Sequence, residues 1–196
     1  MASRHSAKWN ELYFLKYDAD KVIDDSAQTY SAFFHHISAE HKLTNGDGGD
    51  GYTSVEDRAF ALRPMTIADK LFIISHGGAN GVIGEDKSPD RLVKDLKNWG
   101  LKNVGLITFK CCHLGRGSFL EMFVSACSQR GVTVGWVKGY TGLSRTTYGI
   151  TGEPWELVLG DHKIPKFGDA RFRIVKGNHP TPLEKFERYS YQSASA

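Results

Sequence analysis

Two apolar runs in the chain stop abruptly, one at a histidine and the other at a pair of cysteines. Residues 70–75 (Lys-Leu-Phe-Ile-Ile-Ser) precede His76, and residues 104–110 (Val-Gly-Leu-Ile-Thr-Phe-Lys) precede Cys111 and Cys112. A short apolar run bounded by turn residues is typical of a strand that is buried on both faces of a parallel sheet. Since open α/β sheets place their chemistry beyond the carboxyl ends of such strands, we expect the histidine and a cysteine at one edge of the sheet.

Elsewhere in the chain, short apolar runs predict strands, and apolar positions three or four residues apart predict helices. The two kinds of segment alternate along the sequence. The predicted strands are 9–17, 68–75, the run that begins at 104, and 132–140, and the predicted helices are 26–41, 88–100 and 118–130. Strands that alternate with helices predict an α/β fold of three layers, α-β-α, around a mostly parallel sheet. Two shorter strands, 153–159 and 170–176, predict an antiparallel hairpin near the C-terminus.

No second domain interrupts this pattern. The 196 residues suffice for one domain with a full core, so residues 1–196 are expected to form a single unit with a frayed tail from about residue 180. Segment 43–54 is rich in Gly and Asp and superficially resembles a calcium loop. Its spacing and its lack of a final Glu differ from an EF-hand, so we interpret it as a mobile loop.

Composition and charge indicate an ordinary globular protein. With 40% hydrophobic residues, 24% charged residues and a formal net charge of +3, the sequence is typical of a globular protein and does not indicate a nucleic-acid partner. No stretch reaches the roughly 20 apolar residues of a membrane span, and the first residues lack the apolar core of a secretion signal. We therefore expect neither a membrane span nor a signal peptide.

The cysteines indicate free thiols. Cys111, Cys112 and Cys127 are odd in number and two are adjacent, so they do not suggest a disulfide framework. This favours a reducing compartment, either the cytoplasm or the cytosol of a host cell into which the protein is delivered. No metal site is expected, because zinc would need ligands far from this Cys-Cys-His sequence.

A histidine and a cysteine at strand ends can perform nucleophilic catalysis, in which the thiolate attacks and the imidazole transfers the proton. Cys112 is a better candidate than Cys111, because it is the last residue before the turn and begins a C-x-x-G spacing. Neighbouring side chains on a strand point to opposite faces, so Cys111 is expected to pack inwards. Each residue also has an ordinary interpretation, a buried thiol for Cys112 and a polar loop residue for His76.

The two motifs together resemble the caspase-like cysteine peptidases, a group that includes caspases, legumains, separases and gingipains. The matching stretches are 71–77 (Leu-Phe-Ile-Ile-Ser-His-Gly) and 106–115 (Leu-Ile-Thr-Phe-Lys-Cys-Cys-His-Leu-Gly). The likeness is greatest to the autoprocessing cysteine protease domains of large bacterial toxins, and extends over residues 70–142. It implies a caspase-like version of the three-layer fold and a cysteine endopeptidase that forms a thioester intermediate, as a toxin or effector protease.

Roles for individual residues follow from this resemblance. It implies that His76 is the general acid/base, that Cys112 is the nucleophile, and that the backbone N–H groups of Gly77 and Cys112 form an oxyanion hole. It also implies that a protein or peptide substrate adds as a strand beside the segment after the nucleophile's helix. The residues of that segment are Lys138, Gly139, Tyr140, Thr141, Gly142, Ser144 and Arg145.

An inositol polyphosphate activates the toxin domains, so the resemblance also implies a basic site for such an activator and no other cofactor. The candidate residues are Lys163, Lys166, Arg171, Arg173 and Lys176. Ordinary surface charge is the alternative interpretation of these five residues.

Three departures from the family pattern leave other functions open. Cys111 directly precedes the nucleophile, His113 follows it as a rival histidine, and no third catalytic group is apparent. One alternative is a non-catalytic binding module on the same scaffold. Another is a different acyl-transfer enzyme with a Cys-His pair, such as a deamidase. The sequence leaves the cleavage specificity and the oligomeric state open.

Overall fold

The chain alternates strands and helices through most of its length. The computed structural model describes residues 9–34, 37–78, 81–84, 87–148 and 154–180. Within them the helices are α1 (Lys21–Phe33), α2 (Pro89–Asn98) and α3 (Phe119–Arg130). The strands are β1 (Leu12–Lys16), β2 (Lys42–Thr44), β3 (Thr53–Ser54), β4 (Lys70–Ile74), β5 (Gly77–Gly78), β6 (Val82–Ile83), β7 (Asn103–Lys110), β8 (Thr133–Tyr140), β9 (Leu143–Tyr148), β10 (Pro154–Leu159), β11 (Pro165–Lys166) and β12 (Phe172–Lys176).

The main sheet contains seven of the described strands in the spatial order β12-β8-β7-β4-β1-β2-β3. All neighbours are parallel except β12, which runs antiparallel to β8. The predicted α/β fold with a mostly parallel sheet is therefore confirmed. Beside it, β5 and β6 form a two-stranded hairpin, and β9, β10 and β11 form a separate antiparallel sheet.

Helices cover both faces of the main sheet and so produce three layers. On one face, α2 and α3 pack over a core that includes Phe109, Phe119 and Phe123. On the other face, α1 brings Tyr30 against Phe72 of β4. Alternate residues of β1 and β4 belong to the two cores, because neighbouring side chains on a strand point to opposite faces. None of the helices in the described part of the chain is long and apolar enough to cross a bilayer.

Helices α2 and α3 lie close to their predicted positions because their ends carry clear signals. The hydroxyl of Ser88 accepts a hydrogen bond from the Arg91 N–H and caps α2, with Pro89 in its first turn. Gly131 ends α3 in the left-handed conformation, with φ of 69°. The capping residues and the helical periodicity therefore indicate the same boundaries, so the sequence predicts both helices closely.

Helix α1 begins at Lys21, earlier than the predicted Ser26. The reason is the cap residue Asp20, whose Oδ1 accepts hydrogen bonds from the N–H groups of Val22 and Ile23 at 2.8 and 3.2 Å. An aspartate at this position satisfies N–H groups that the first helical turn leaves without partners. The surrounding sequence is rich in aspartate, which is typical of a turn. The capping role of Asp20 could therefore not be recognised from the sequence.

The strands near the C-terminus pair differently from the prediction. The strands expected at 153–159 and 170–176 do not form a hairpin with each other. Instead, β10 pairs with β9 and β11, whereas β12 joins the main sheet beside β8. The partner of β10 is the Ser/Thr-rich strand β9, which lacks the apolar run or alternation by which the other strands were predicted. The predicted frayed tail lies outside the described residues beyond position 180.

The Gly- and Asp-rich segment 43–54 is more ordered in its pairing than the predicted loop. Strands β2 and β3 extend the main sheet at its edge and both run parallel to their neighbours. Between them, Tyr52 is buried and its hydroxyl donates to the Ala27 carbonyl oxygen at 3.0 Å. The segment therefore forms the last two strands at this edge of the sheet and contacts α1.

Candidate functional site

The carboxyl ends of parallel strands meet at one edge of the main sheet. Asp18 and Asp20 follow β1, His76 follows β4, and Cys112 follows β7, and these three strands are direct neighbours. We call this edge, formed by the four residues, the carboxyl rim. The structure therefore places His76 and Cys112 at the same edge, as their positions after parallel strands predict.

Gly77 brings the histidine and cysteine segments into backbone contact. A methyl group on Gly77 would overlap the carbonyl oxygen of Cys112 and would lie 3.0 Å from its nitrogen. Only glycine permits so close an approach. Gly77 also pairs with Ile83 in the β5–β6 hairpin, which holds this backbone in place. The main chain after His76 therefore lies directly against the candidate nucleophile.

Two aspartates from the end of β1 hold His76. The ring atom Nε2 lies 2.6 Å from Oδ2 of Asp20, and the backbone N–H of His76 donates to Oδ2 of Asp18 at 2.7 Å. Asp18 also accepts a hydrogen bond from the hydroxyl of Ser75 at 2.6 Å. The imidazole side chain is 52% exposed, so the ring is fixed at one nitrogen and accessible to a ligand.

Asp20 is an orienting carboxylate for the histidine. Partial burial opposes its ionisation, but hydrogen bonds from the Ile23 N–H, the His76 ring and the Val22 N–H outweigh burial and lower the pKa of Asp20. One carboxylate oxygen caps α1 while the other binds the ring. Asp20 thus supplies the third group that no sequence motif indicates.

The Cys112 sulfur is partly exposed and contacts Ser144 of β9. The Ser144 N–H donates to Sγ at 3.3 Å, and Sγ lies 3.6 Å from the Ser144 carbonyl oxygen and 3.7 Å from its hydroxyl. Among the described residues, no hydrogen bond joins the His76 ring to this sulfur. Catalytic hydrogen bonds often form only when a substrate is bound, so this separation is compatible with a dyad that closes on a substrate.

A strained turn holds Cys112 at the end of β7. His113 adopts the left-handed conformation with φ of 60°, and its N–H donates to the Gly142 carbonyl oxygen at 2.9 Å. The Gly115 N–H donates to the carbonyl oxygen of Tyr140 at 2.7 Å, and a side chain at Gly115 would collide with β8. Gly115 therefore docks the turn against β8, and its N–H is not available to an oxyanion.

The rival histidine, His113, lacks the support that His76 has. Its Nδ1 is buried and has no hydrogen-bond partner in the part of the chain that the structure describes. Burial, followed by the positive charge of Arg116, lowers the pKa of His113. Both effects favour the neutral form of the His113 ring, and His76 is the better acid/base candidate because a carboxylate holds its ring.

Burial separates Cys112 from the other two thiols. Cys111 and Cys127 are both buried, and burial raises the pKa of Cys111 well above its usual value and that of Cys127 to about 12. The Cys111 sulfur lies 3.6 Å from the Ile73 carbonyl oxygen, in the core beneath α2 and α3. Cys111 therefore points inwards, as strand alternation predicts.

We expect alkylation of the native protein to modify Cys112 alone. The other two thiols keep their protons at neutral pH, and each pKa unit lowers the thiolate fraction about tenfold. Treatment with iodoacetamide, followed by intact-mass analysis and peptide mapping, should give one adduct in the native chain and three after unfolding in guanidinium. The control is Cys112→Ala, which should stay unmodified until it unfolds. A native adduct on Cys111 or Cys127 would contradict the burial of these thiols.

The segment expected to receive a substrate strand is already paired on both sides. Strand β8 lies between β7 and β12, and residues 138–140 pair with residues 172–174. Beyond the strand, the Thr141 N–H donates to the Arg171 carbonyl oxygen at 3.0 Å, and the Gly142 carbonyl accepts from the turn after β7. The hydrogen-bonding groups of this backbone are therefore occupied by the protein itself, and a role for residues 138–142 in substrate binding stays a prediction.

Strand β9, which carries Ser144 and Arg145, offers an edge instead. Among the described strands it is the last in the order β11-β10-β9. Ser144 directs both its N–H and its carbonyl towards the Cys112 sulfur, and therefore away from β10. Residues two apart on a strand present their backbone groups on the same side, so Thr146 presents its groups along the same edge. This edge leads to the candidate nucleophile.

Some of the basic residues considered for an anionic activator are already engaged. Arg173 forms an ion pair with Glu121 and donates to the Gly117 carbonyl oxygen at 2.5 Å. Lys166 donates to the hydroxyl of Thr141 at 3.0 Å. These contacts tie both cations to neighbouring elements, and a role for them in binding an inositol polyphosphate stays a prediction.

An open pocket of about 420 Å³ lies beside the His76 ring. Its lining is polar and includes Asp18, Asp20, Asn45 and Lys87. A volume in this range suits a side chain or a small ligand. No group of three or more metal-ligating side chains converges there or elsewhere in the described ranges.

Asp18 and Asp20 are the site residues that sequence reasoning missed. Both follow the first parallel strand, the position at which the rule applied to His76 and Cys112 also predicts chemistry. The same rule, applied to β1, predicts Asp18 and Asp20 as candidate site residues. Their pairing with His76, at separations of 58 and 56 residues, required the strand order, which local patterns do not give.

The chain matches no protein-family model, no curated protein and no solved structure. The candidate site is therefore defined by its own residues, which are His76 with its partner Asp20, and Cys112 with its partner Ser144.

Proposed function

We propose that the protein is a cysteine endopeptidase in which His76 and Cys112 form a dyad and Asp20 positions the histidine. The observation that carries this proposal is the arrangement at the carboxyl rim. A partly exposed thiol and a carboxylate-bound imidazole follow adjacent parallel strands, with the backbone of Gly77 against Cys112. The resemblance to caspase-like peptidases assigns the same roles to the same two residues. A role as a bacterial toxin or effector rests on that resemblance alone.

The proposed chemistry is acyl transfer through sulfur. The Cys112 thiolate attacks the carbonyl carbon of the scissile peptide bond, after His76 has taken the thiol proton. The backbone N–H groups of Gly77 and Cys112 stabilise the resulting oxyanion, and the Cys112 N–H has no acceptor among the described residues. His76 then protonates the leaving amine as the C–N bond breaks, which leaves a thioester. Water attacks the thioester, gives a proton to His76, and the proton returns to sulfur as the carboxylic acid leaves.

The edge of β9 beyond Ser144 supports an extended peptide as the substrate. A strand that pairs with β9 beside Thr146 gains main-chain hydrogen bonds and runs towards Cys112, because the neighbouring Ser144 N–H donates to the sulfur. Arg145 is exposed on the same strand and is a candidate for substrate contact. The polar pocket beside His76 can accept a side chain next to the cleaved bond.

A non-catalytic module that holds a peptide on β9 is the second candidate. The observation in its favour is that the Cys112 sulfur bonds to Ser144 and not to His76. A thiol fixed in this way could serve only to pack the strand against β7. The two candidates differ in one outcome, which is whether a bound peptide is cut.

A cleavage assay with a mixed peptide library, run with and without an inositol polyphosphate, tests the proposal. The parent should generate new peptide termini detectable by mass spectrometry, whereas Cys112→Ala and His76→Ala should generate none above background. The matched control is Cys127→Ala, which removes a thiol on α3 rather than at the rim and should cleave like the parent.

Three results would overturn the proposal. If library peptides stay intact but protect Cys112 from alkylation, the binding module is the better description. If cleavage persists in Cys112→Ala, the nucleophile is another residue. If side-chain amides of the peptides are hydrolysed while backbones stay intact, the protein is a deamidase.

A further inference from the structure

A second pocket lies at the opposite end of the main sheet from the carboxyl rim. It has a volume of about 640 Å³, and its lining includes Asn103 and Thr133, the first residues of β7 and β8. Cys112 follows the other end of β7, which at the usual rise per residue lies about 25 Å away. The pocket is therefore separate from the proposed peptidase site.

Among the described residues, the charged side chains that line this pocket are all positive. They are Arg63, Lys97 and Lys102, and no carboxylate in the described ranges contributes to the lining. We call it the basic pocket, defined by these three cations with Phe60, Asn103 and Thr133. Three like charges around one cavity raise its positive potential, since low-dielectric walls focus the field.

The cations of the basic pocket differ from five of the eight arginines in the described residues, which have carboxylate partners. Among the described residues, neither Arg63 nor Lys97 nor Lys102 forms an ion pair. The arginines that do so are Arg58, Arg91, Arg116, Arg130 and Arg173. Lys97 donates to the Arg130 carbonyl oxygen at 2.5 Å, which fixes its position without neutralising its charge. The pocket therefore has positive charge that a bound anion can neutralise.

An exposed aromatic ring stands at the same pocket on a strained backbone. Phe60 is 55% exposed and has a left-handed φ of 58°, which is costly for an aromatic residue. Gly100 supports this turn so closely that a Cβ at Gly100 would lie 3.0 Å from the Cα of Phe60. The Arg63 guanidinium lies 5.9 Å from the centre of the Phe60 ring. Ring and cation together form a surface on which a flat group can stack.

We propose that the basic pocket binds a small phosphorylated molecule that carries an aromatic ring, with a nucleoside diphosphate as its representative. The three cations match the phosphates, the Phe60 ring matches the base, and Asn103 and Thr133 offer hydrogen bonds to polar edges. The volume of about 640 Å³ falls within the range of small-ligand pockets. The inference does not rest on the proposed peptidase activity.

Isothermal titration of the full chain with ADP, adenosine and inorganic tripolyphosphate tests this inference. ADP is expected to bind at one site, at least about tenfold more tightly than adenosine, because adenosine lacks the groups that pair with the cations. Lys102→Gln should weaken ADP binding about tenfold, the usual effect of one charge-assisted hydrogen bond. The matched control is Lys94→Gln, which removes an exposed charge from α2 outside the pocket and should bind ADP like the parent.

The ring is tested separately with Phe60→Ala. This variant should weaken the binding of ADP and leave that of tripolyphosphate unchanged. The inference is overturned if ADP gives no saturable binding to the folded parent, or if Lys94→Gln weakens it as much as Lys102→Gln. It is also overturned if tripolyphosphate binds as tightly as ADP and Phe60→Ala has no effect, because the site would then recognise charge alone.

Discussion

Replacement of Phe109 by alanine is expected to lower the free energy of unfolding by about 3–5 kcal/mol. Phe109 is fully buried on β7, three residues before Cys112, and its ring meets those of Phe119 and Phe123 edge to face at 5.4 and 5.2 Å. The variant loses the buried area, these two ring contacts and the packing around the resulting cavity. This loss is a large part of the roughly 5–15 kcal/mol that stabilises a typical domain.

Urea unfolding monitored by circular dichroism measures this effect as a lower midpoint with an unchanged slope. The matched control is Phe167→Ala, because Phe167 is 73% exposed and its truncation should change stability by less than about 0.5 kcal/mol. If Phe109→Ala does not fold, Phe109→Leu keeps part of the packing and should fall between the parent and full loss. Equal midpoints for Phe109→Ala and Phe167→Ala would show that the strand carrying Cys112 is not anchored through this ring.

The sequence was sufficient where local signals and the position of the core agree. The apolar run before His76 is buried in both cores, and the run before Cys112 is buried under α2 and α3 on one face and against Trp136 on the other, so continuous hydrophobicity identified both strands correctly. Their place at a common edge followed from the carboxyl-end rule for parallel sheets. The inward orientation of Cys111 followed from strand alternation in the same way.

The sequence was insufficient where a partner lies far away in the chain. Strand β9 contains Thr and Tyr, which are common in strands, but it has no apolar run or alternation, so the pattern of hydrophobic positions did not indicate its pairing with β10. Its Ser144 meets Cys112 across 32 residues. The occupied edge of β8 could not be foreseen either, because β12 returns to it from beyond the small antiparallel sheet. Long-range pairing therefore determines which strand edges near Cys112 are already paired.

Replacement of Asp20 by asparagine is expected to reduce peptide turnover about 10- to 150-fold, the factor that corresponds to one hydrogen bond between charged groups. Asp20 has two separate tasks, since Oδ1 caps α1 and Oδ2 binds Nε2 of His76. Asparagine caps helices about as well as aspartate, so the helix should keep its stability. The amide has no charge, however, and it cannot stabilise the imidazolium that forms when His76 takes the Cys112 proton.

Turnover of a cleaved library peptide and the thermal melting of each variant should be measured together at neutral pH. The lowered pKa of Asp20 means that its contribution to folding is present above the ordinary aspartate pKa and is lost only as pH falls through the lower folded value. Titration of Asp20 therefore does not disturb the comparison at neutral pH. Asp25→Asn is the matched control, because Asp25 lies on the same helix, is 62% exposed and pairs only with Lys21 in the ion pairs of the described residues.

The combination of the two readouts separates a catalytic from a structural role for Asp20. A loss of turnover with unchanged melting supports a positioning carboxylate, because the cap is retained and only the contact with His76 has changed. Asp20→Ala should lose turnover to a similar extent and also about 1 kcal/mol of stability, since alanine cannot cap the helix. If Asp20→Asn keeps parental turnover while Asp20→Ala melts at a lower temperature, Asp20 is a helix cap alone. The proposed peptidase would then rely on His76 and Cys112 without a third group.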